Sequence, residues 1–208
     1  MLSPDPGESR QMGKRNTAAV ILAAGASSRM QSHKALLGFS PGVTFIEKIV
    51  SEYTSWGCTT IIVVVSEKTA ATVKQILSGH AMVMVIVNDH IEFERLYSLK
   101  LGLANIKGAD SCFFQNVDNP FVDSKILDTL FEERSDDACV TPIFEGRGGH
   151  PVLLNRKNME FIRNYHLNDA NLKLVMGELL CKKVGMPNNK VLININSPEE
   201  YERLFNLR

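Results

Sequence analysis

The sequence predicts an α/β protein with a doubly wound, mostly parallel sheet and one small β-hairpin excursion. Short apolar, largely β-branched runs recur at 18–23, 61–65, 82–87, 112–117, 138–141, 151–154 and 191–195. Runs that are apolar throughout suit strands covered on both faces. Between them lie amphipathic stretches at 45–56, 70–77, 95–106 and 124–133, with apolar spacing near 3.6. Alternating strands and helices imply right-handed crossovers and a parallel sheet. Ligands of such sheets bind at the carboxyl ends of strands.

At 208 residues and 44% hydrophobic content, the chain fits one globular domain, expected to span 16–208. Residues 1–15 are rich in Pro, Gly, Ser and charge and read as a flexible tail. The 23 basic and 23 acidic residues cancel, so no global field recruits nucleic acid or an anionic membrane. No apolar stretch reaches membrane-spanning length, and the N-terminus lacks a signal-like segment. Cys58, Cys112, Cys139 and Cys181 form no C-x-x-C pair and sit in or beside apolar runs. The expectation is free buried thiols in a reducing compartment, hence cytoplasmic residence.

The first expected strand, 18–23, runs straight into a loop from Ala23 to Lys34. Gly25 and its small neighbours let the backbone curl around an anion. Ser27 and Ser28 add hydroxyl donors. Arg29 offers a forked, permanently charged donor set, and Lys34 a mobile point charge. The loop is neither a Walker A sequence nor a dinucleotide fingerprint. On these grounds alone a plain strand–helix turn fits equally well.

The fourth apolar run ends at Val117-Asp118-Asn119-Pro120. A carboxylate at a strand end, set by a following Pro, suits Mg²⁺ held alongside phosphates, as it also suits a turn. Earlier, Asn88 ends a strand and Ser98 lies near the start of the 95–106 helix. Gly-rich 145–149 followed by His150 and an apolar run predicts the hairpin excursion. A lone His such as His150 is more often structural, and Arg147 beside it is a second polar candidate in the excursion. Helices are expected at 157–164 and 170–180. A last one should start at Ser197-Pro198, N-cap then Pro, with acidic residues in its first turn.

Leu22-Ala-Ala-Gly-Ala-Ser-Ser-Arg-Met30 followed by Lys34 resembles the signature of MobA-like nucleotidyltransferases, L-A-A/G-G-x-S-x-R-M-G-x-x-K. Gln31 departs from its usual Gly. Gly149-His150-Pro151-Val152 resembles the molybdenum cofactor cytidylyltransferase branch, whose downstream G-D-x-G-A-R run is reduced here to Asn168-Asp169-Ala-Asn-Leu-Lys173. The resemblance implies an enzyme that moves a nucleoside monophosphate from a triphosphate onto a phosphorylated small-molecule acceptor. It implies nucleotide contacts from Leu22, Ala23, Ala24, Gly25, Ser27, Ser28, Asn88 and Ser98. Arg29, Lys34 and Asp118 would be catalytic, with Mg²⁺ on Asp118 and Asn196. Arg147, His150 and Asp169 would face the acceptor.

Ala24 tilts the nucleotide toward CTP, and the branch implies molybdopterin as acceptor and a molybdoenzyme or its chaperone as partner. The Arg95-x-x-Ser98 spacing is also similar to cytidylyltransferases of polyol and isoprenoid phosphates, so a sugar-alcohol phosphate or phosphocholine-type acceptor is the alternative. Asn at both 194 and 196 would suit a non-catalytic nucleotide-binding module.

Overall fold

The computed structural model describes residues 16–25, 30 and 32–205. The expected tail at 1–15 lies outside them. The chain opens with β1 (Thr17–Ala23), a 3₁₀ turn at Lys34–Leu36, and a small pair, β2 (Gly38–Ser40) with β3 (Val43–Thr44). There follow α1 (Phe45–Trp56), β4 (Thr60–Ser66), α2 (Glu67–Ile76), β5 (Val83–Asn88), α3 (Glu94–Ala104), β6 (Ser111–Asn116) and α4 (Ser124–Glu132). The hairpin excursion is β7 (Cys139–Phe144) with β8 (Arg147–Gly148), leading into β9 (Val152–Asn155). The chain ends through α5 (Arg156–Arg163), α6 (Leu172–Gly177), β10 (Cys181–Gly185), a 3₁₀ turn at Asn189–Leu192 and α7 (Pro198–Phe205).

Eight strands form one sheet in the order β10-β7-β9-β6-β1-β4-β5, with β8 pairing to β7. Only β9 runs against the strands beside it on this path. The doubly wound, mostly parallel reading therefore stands. The period-2 alternation of β1 divides the core. Ala19, Ile21 and Ala23 join the layer of α1, α2 and α4, while Ala18, Val20 and Leu22 join that of α3, α5 and α6. Strand order turns back between β1 and β6, because β4 and β5 lie on one side of β1 and β6 on the other. Their carboxyl ends form the crevice where such sheets take ligands.

Three expectations need correction. The apolar run 191–195 is not a strand. Val191 and Leu192 close a 3₁₀ turn, and Ile195 donates its backbone N–H to the Asp118 carbonyl at 2.8 Å. The strand in this region is instead β10, missed because Lys182 and Lys183 are exposed on a sheet edge, where lysine discourages further pairing. It shortens the expected 170–180 helix to α6. Finally, the four thiols are not all free. Register places Cys181 opposite Cys139 on neighbouring parallel strands, and the two form a disulfide, leaving Cys58 and Cys112 as buried thiols. The compartment argument built on four free thiols falls with it. Among the described residues no helix is long and apolar enough to cross a membrane.

Packing of α3 on β1 is close at Gly102, where an added Cβ would lie 2.4 Å from Cγ1 of Val20. Gly102→Ala gains about 1 kcal/mol in helix propensity but forces overpacking that costs about 1–3 kcal/mol. Because Val20 is fully buried, the net change in denaturant melts should be destabilising, and a stabilised variant would refute the tight contact. Thiol titration of the unfolded, unreduced chain should count two thiols, rising to four after reduction. A count of four without reductant would show that Cys139 and Cys181 are unpaired.

Candidate active site

The site is built at the carboxyl ends of β1 and β6. Leu22 pairs with Asn116 across these strands, and the Leu22 carbonyl accepts from Val117 N–H at 3.1 Å. The β1 end and the Asp118 turn are therefore one rigid unit. Leu22, Ala23 and Ala24 are buried, so any role they have in nucleotide binding runs through backbone groups. Gly25 is exposed, and a Cβ there would meet no heavy atom within 4 Å. Its small size thus leaves open space beside the loop and is not demanded by internal packing. Ser27, Ser28 and Arg29, expected to contact phosphates, lie outside the described residues.

Lys34, Asp118 and Asn196 converge. Lys34 Nζ donates to Asp118 Oδ2 at 3.2 Å and to Asn196 Oδ1 at 2.7 Å. These groups are 84 and 162 positions from Lys34 in sequence. A buried network brings them together. Tyr53 donates to Gln115 Oε1 at 3.1 Å, Gln115 Nε2 donates to the Asn119 carbonyl at 2.6 Å, and Asn119 Nδ2 donates to the Val191 and Lys190 carbonyls at 3.0 and 3.2 Å. Beyond Ile195, the Asn196 N–H donates to Glu200 at 2.7 Å, fixing the entry to α7. That helix packs Tyr201 and Phe205 against Phe39 and Phe45, and Tyr201 donates to the Gly38 carbonyl at 2.7 Å.

The same corner holds unsatisfied polar atoms. Asn116 Oδ1, Asp118 Oδ1, Asn119 Oδ1 and His150 Nδ1 are buried without a hydrogen-bond partner. Leaving such atoms unpaired costs about 1–3 kcal/mol each, and a bound ligand is one way to complete them. No cluster of three or more His, Cys, Asp or Glu side chains occurs among the described residues. One carboxylate and one carboxamide oxygen, with the second carboxylate oxygen buried and unpartnered, fit a hard cation that keeps waters and shares phosphate oxygens. They do not fit a soft, fully protein-ligated metal.

On the base and acceptor sides the structure separates what the motifs grouped. Ser98 is buried, and its hydroxyl accepts from Asn88 Nδ2 at 2.9 Å, while Asn88 Oδ1 accepts from His90 N–H. The pair braces the end of β5 against α3 from inside. His150 also turns inward: Asn116 Nδ2 donates to its Nε2 at 2.8 Å, and Nδ1 is buried. Burial holds its pKa down, to about 4, against the pull of Asp118, with Arg95 pushing the same way as burial. A neutral, inward imidazole is not a phosphate-binding cation. Arg147 is exposed on β8. Asp169 is exposed on a loop whose neighbours are held by Lys100, which donates to Asn168 Oδ1 and to the carbonyls of Tyr165 and Leu167. Among the described residues, no hydrogen bond or ion pair joins Arg147, His150 and Asp169 to one another.

Two residues were passed over. Asn116 looks like an ordinary strand residue, yet it sets the His150 ring. Arg95, noted only for its spacing from Ser98, is exposed at the start of α3 and close enough to act on His150. An arginine just after a strand's carboxyl end is the signal that could have marked it.

A lysine–carboxylate–carboxamide cluster at the switch point of a mostly parallel sheet, beside the end of the first strand, marks an α/β domain whose strand ends form the ligand crevice. The chain belongs to the MobA-like NTP transferase domain family, which it matches over residues 19–183, and is an enzyme domain of the nucleotidyltransferase type. No curated protein matches it in sequence. Among solved structures, it is similar to a nucleotidyl transferase from Methanothermobacter thermautotroptrophicus, with 26% identity and a TM-score of 0.76 over 91% of this chain and 96% of that one. It is also similar to Rv0371c from Mycobacterium tuberculosis H37Rv, with 20% identity and a TM-score of 0.76 over 93% and 100%. That protein has been solved in complex with manganese as well, in a structure of 19% identity, TM-score 0.72, and coverage of 93% and 100%.

Two outcomes test this geometry. Asn119→Leu keeps the branched skeleton but takes one donor from each of the Lys190 and Val191 carbonyls, so the chain should lose about 1–3 kcal/mol in denaturant melts. A variant as stable as the parent would show that the network does not hold the corner. His150 stays neutral in the folded chain down to about 4 but takes a proton near 6.5 when unfolded. Protons therefore favour the unfolded chain between these values. Stability should be level above 6.5 and fall as pH drops towards 4, and His150→Gln should flatten that dependence in pH-resolved melts. An unchanged profile in the variant would assign the acid sensitivity elsewhere.

Proposed function

We propose that the chain transfers a cytidylyl group from CTP to a phosphorylated small-molecule acceptor and releases pyrophosphate. The observation that carries this is the convergence of Lys34, Asp118 and Asn196 at the β1–β6 switch point. A phosphate monoester is largely a dianion at neutral pH, since its second pKa is near 6. Its oxygen attacks the α-phosphorus without a general base. The new bond joins acceptor oxygen to α-phosphorus, and the bond to the β-phosphate oxygen breaks, with the electron pair leaving on pyrophosphate. The protein's work is positioning and charge neutralisation.

Lys34 neutralises charge on the α-phosphate, and Arg29 is assigned to the departing pyrophosphate. Asp118 and Asn196 would hold Mg²⁺, which supplies Lewis-acid neutralisation of the phosphates when bound. The manganese complex of Rv0371c supports divalent metal use in this fold. Gly25 leaves room for the triphosphate. Ser98 and Asn88, buried against each other, act on the base through the shape of the β5 end.

Molybdopterin is the acceptor favoured by Gly149-His150-Pro151-Val152, with a molybdoenzyme or its chaperone as receiving partner and cytoplasmic residence to match. Within that reading His150 shapes the hairpin, and exposed Arg147 and Asp169 are the groups that would meet the pterin phosphate. The exposed Arg95 favours a second reading, an alcohol phosphate. Two structures of similar fold carry names of that kind: a 4-diphosphocytidyl-2C-methyl-D-erythritol synthase from Anaerococcus prevotii, at 14% identity, and an inositol-1-phosphate CTP transferase from T. maritima, at 16%.

Pyrophosphate release should appear with CTP and one member of a panel containing molybdopterin and alcohol phosphates. Asp118→Ala should lower it by about a hundredfold or more without lowering the melting temperature. Full activity in that variant would sink the assignment. Binding of CTP without turnover on any acceptor would make the domain a nucleotide-binding module.

A further inference from the structure

We propose that Lys34 is a built-in stand-in for the divalent cation, closing the Asp118–Asn196 oxygen pair until a metal–triphosphate complex takes the oxygens and the phosphates take the ammonium. The inference rests on the reading of this site as a metal-assisted nucleotidyltransferase centre. Asp118 and Asn196, the residues assigned to the metal, are the two that one ammonium now bridges, through Asp118 Oδ2 at 3.2 Å and Asn196 Oδ1 at 2.7 Å. The second Asp118 oxygen, Oδ1, is buried and unpartnered. The set therefore has more acceptor capacity than Lys34 uses, which a divalent ion could take up.

A cation cannot enter beside the ammonium without strong repulsion, because two like charges a few ångströms apart in a partly buried site interact well above the bulk-water value. The Lys34 and Asp118 side chains are 16% and 23% exposed, so the pair is open enough for exchange. The backbone need not move. Lys34 sits at the start of a short 3₁₀ turn that Phe45 and Leu37 tie to the core by a 2.8 Å hydrogen bond, and its four-carbon stem carries the charge through side-chain rotation alone. The freed ammonium needs an anion nearby, and the triphosphate is that anion. Metal alone thus competes with Lys34, whereas metal with triphosphate recruits it. The exchange makes the two ligands bind cooperatively and keeps the oxygen pair neutralised before substrate arrives.

The probe is free Mn²⁺, titrated by electron paramagnetic resonance against the full chain, with and without a non-hydrolysable CTP analogue. Without the analogue, Lys34→Met should bind Mn²⁺ at least about tenfold tighter than the parent. The extra affinity conferred by the analogue should shrink in the same variant. Equal or weaker Mn²⁺ binding by a Lys34→Met chain that melts like the parent overturns the exchange. Asp118→Asn separates the two levels: if it binds Mn²⁺ like the parent with the analogue present, the metal reading itself fails. If binding depends on Asp118 but not on Lys34, only the exchange fails. On the parent chain, the Lys34 ¹⁵Nζ resonance should move when Mg²⁺ and the analogue are both present, and not under the same Mg²⁺ alone. A resonance that stays in place under both conditions overturns the proposal without any variant.

Discussion

The carboxyl end of β6 depends on one buried carboxamide. Asn119 is 1% exposed, its Nδ2 donates to the carbonyls of Lys190 and Val191, and its own carbonyl accepts from Gln115. In that single residue the central strand, α1 through Tyr53 and Gln115, and the segment leading to the last helix are joined. The same segment receives the hairpin: His150 N–H donates to the Val191 carbonyl, and a Cβ on Gly149 would lie 2.2 Å from that oxygen. Backbone here cannot yield as a side-chain tip can, so Gly149 is required by close approach. Ile195 then bonds the Asp118 carbonyl, and Asn196 arrives opposite Asp118.

This arrangement concentrates cost as well as order. Among the described residues, the four buried side-chain polar atoms without partners belong to residues 116, 118, 119 and 150, all at one corner of the fold. Elsewhere polar groups are met by partners, as where Trp56 donates to Asp128 or Thr44 and Glu47 cap α1 reciprocally. Polar groups held ready for a ligand are stabilised by that ligand, while those met inside the fold are stabilised by folding. The inward, neutral His150 is split between the two kinds: its Nε2 is met inside the fold by Asn116, while its Nδ1 has no partner.

Much of the frame was legible in the chain. Seven apolar runs were read as strands, and six of them became strands of the large sheet, because a strand covered on both faces must be apolar along its whole length. The run at 191–195 misled for the same reason in reverse: Val191 and Ile195 are buried by docking, not by pairing. Edge strand β10 escaped notice because its lysines face outward and its apolar signal is weak. In the candidate site, Lys34, Asp118 and Asn196 were each legible from local motifs. Their contact was not, since nothing in a motif states that residues 34 and 196 are neighbours.

What the sequence determined by itself is the class of fold, the place of a segment rich in small residues after the first strand, and the residue types available for chemistry. These follow from local patterns: hydrophobic period, turn chemistry and charge within a few residues. Only the tertiary structure decided which polar groups face a cleft and which face the core. It turned His150 and Ser98 inward, left Arg95 outside, paired Cys139 with Cys181, and set one ammonium between Asp118 and Asn196. The reason is that burial and register depend on all the elements at once. A side chain's partner is set by strand order and helix docking, which no short stretch of the chain encodes alone.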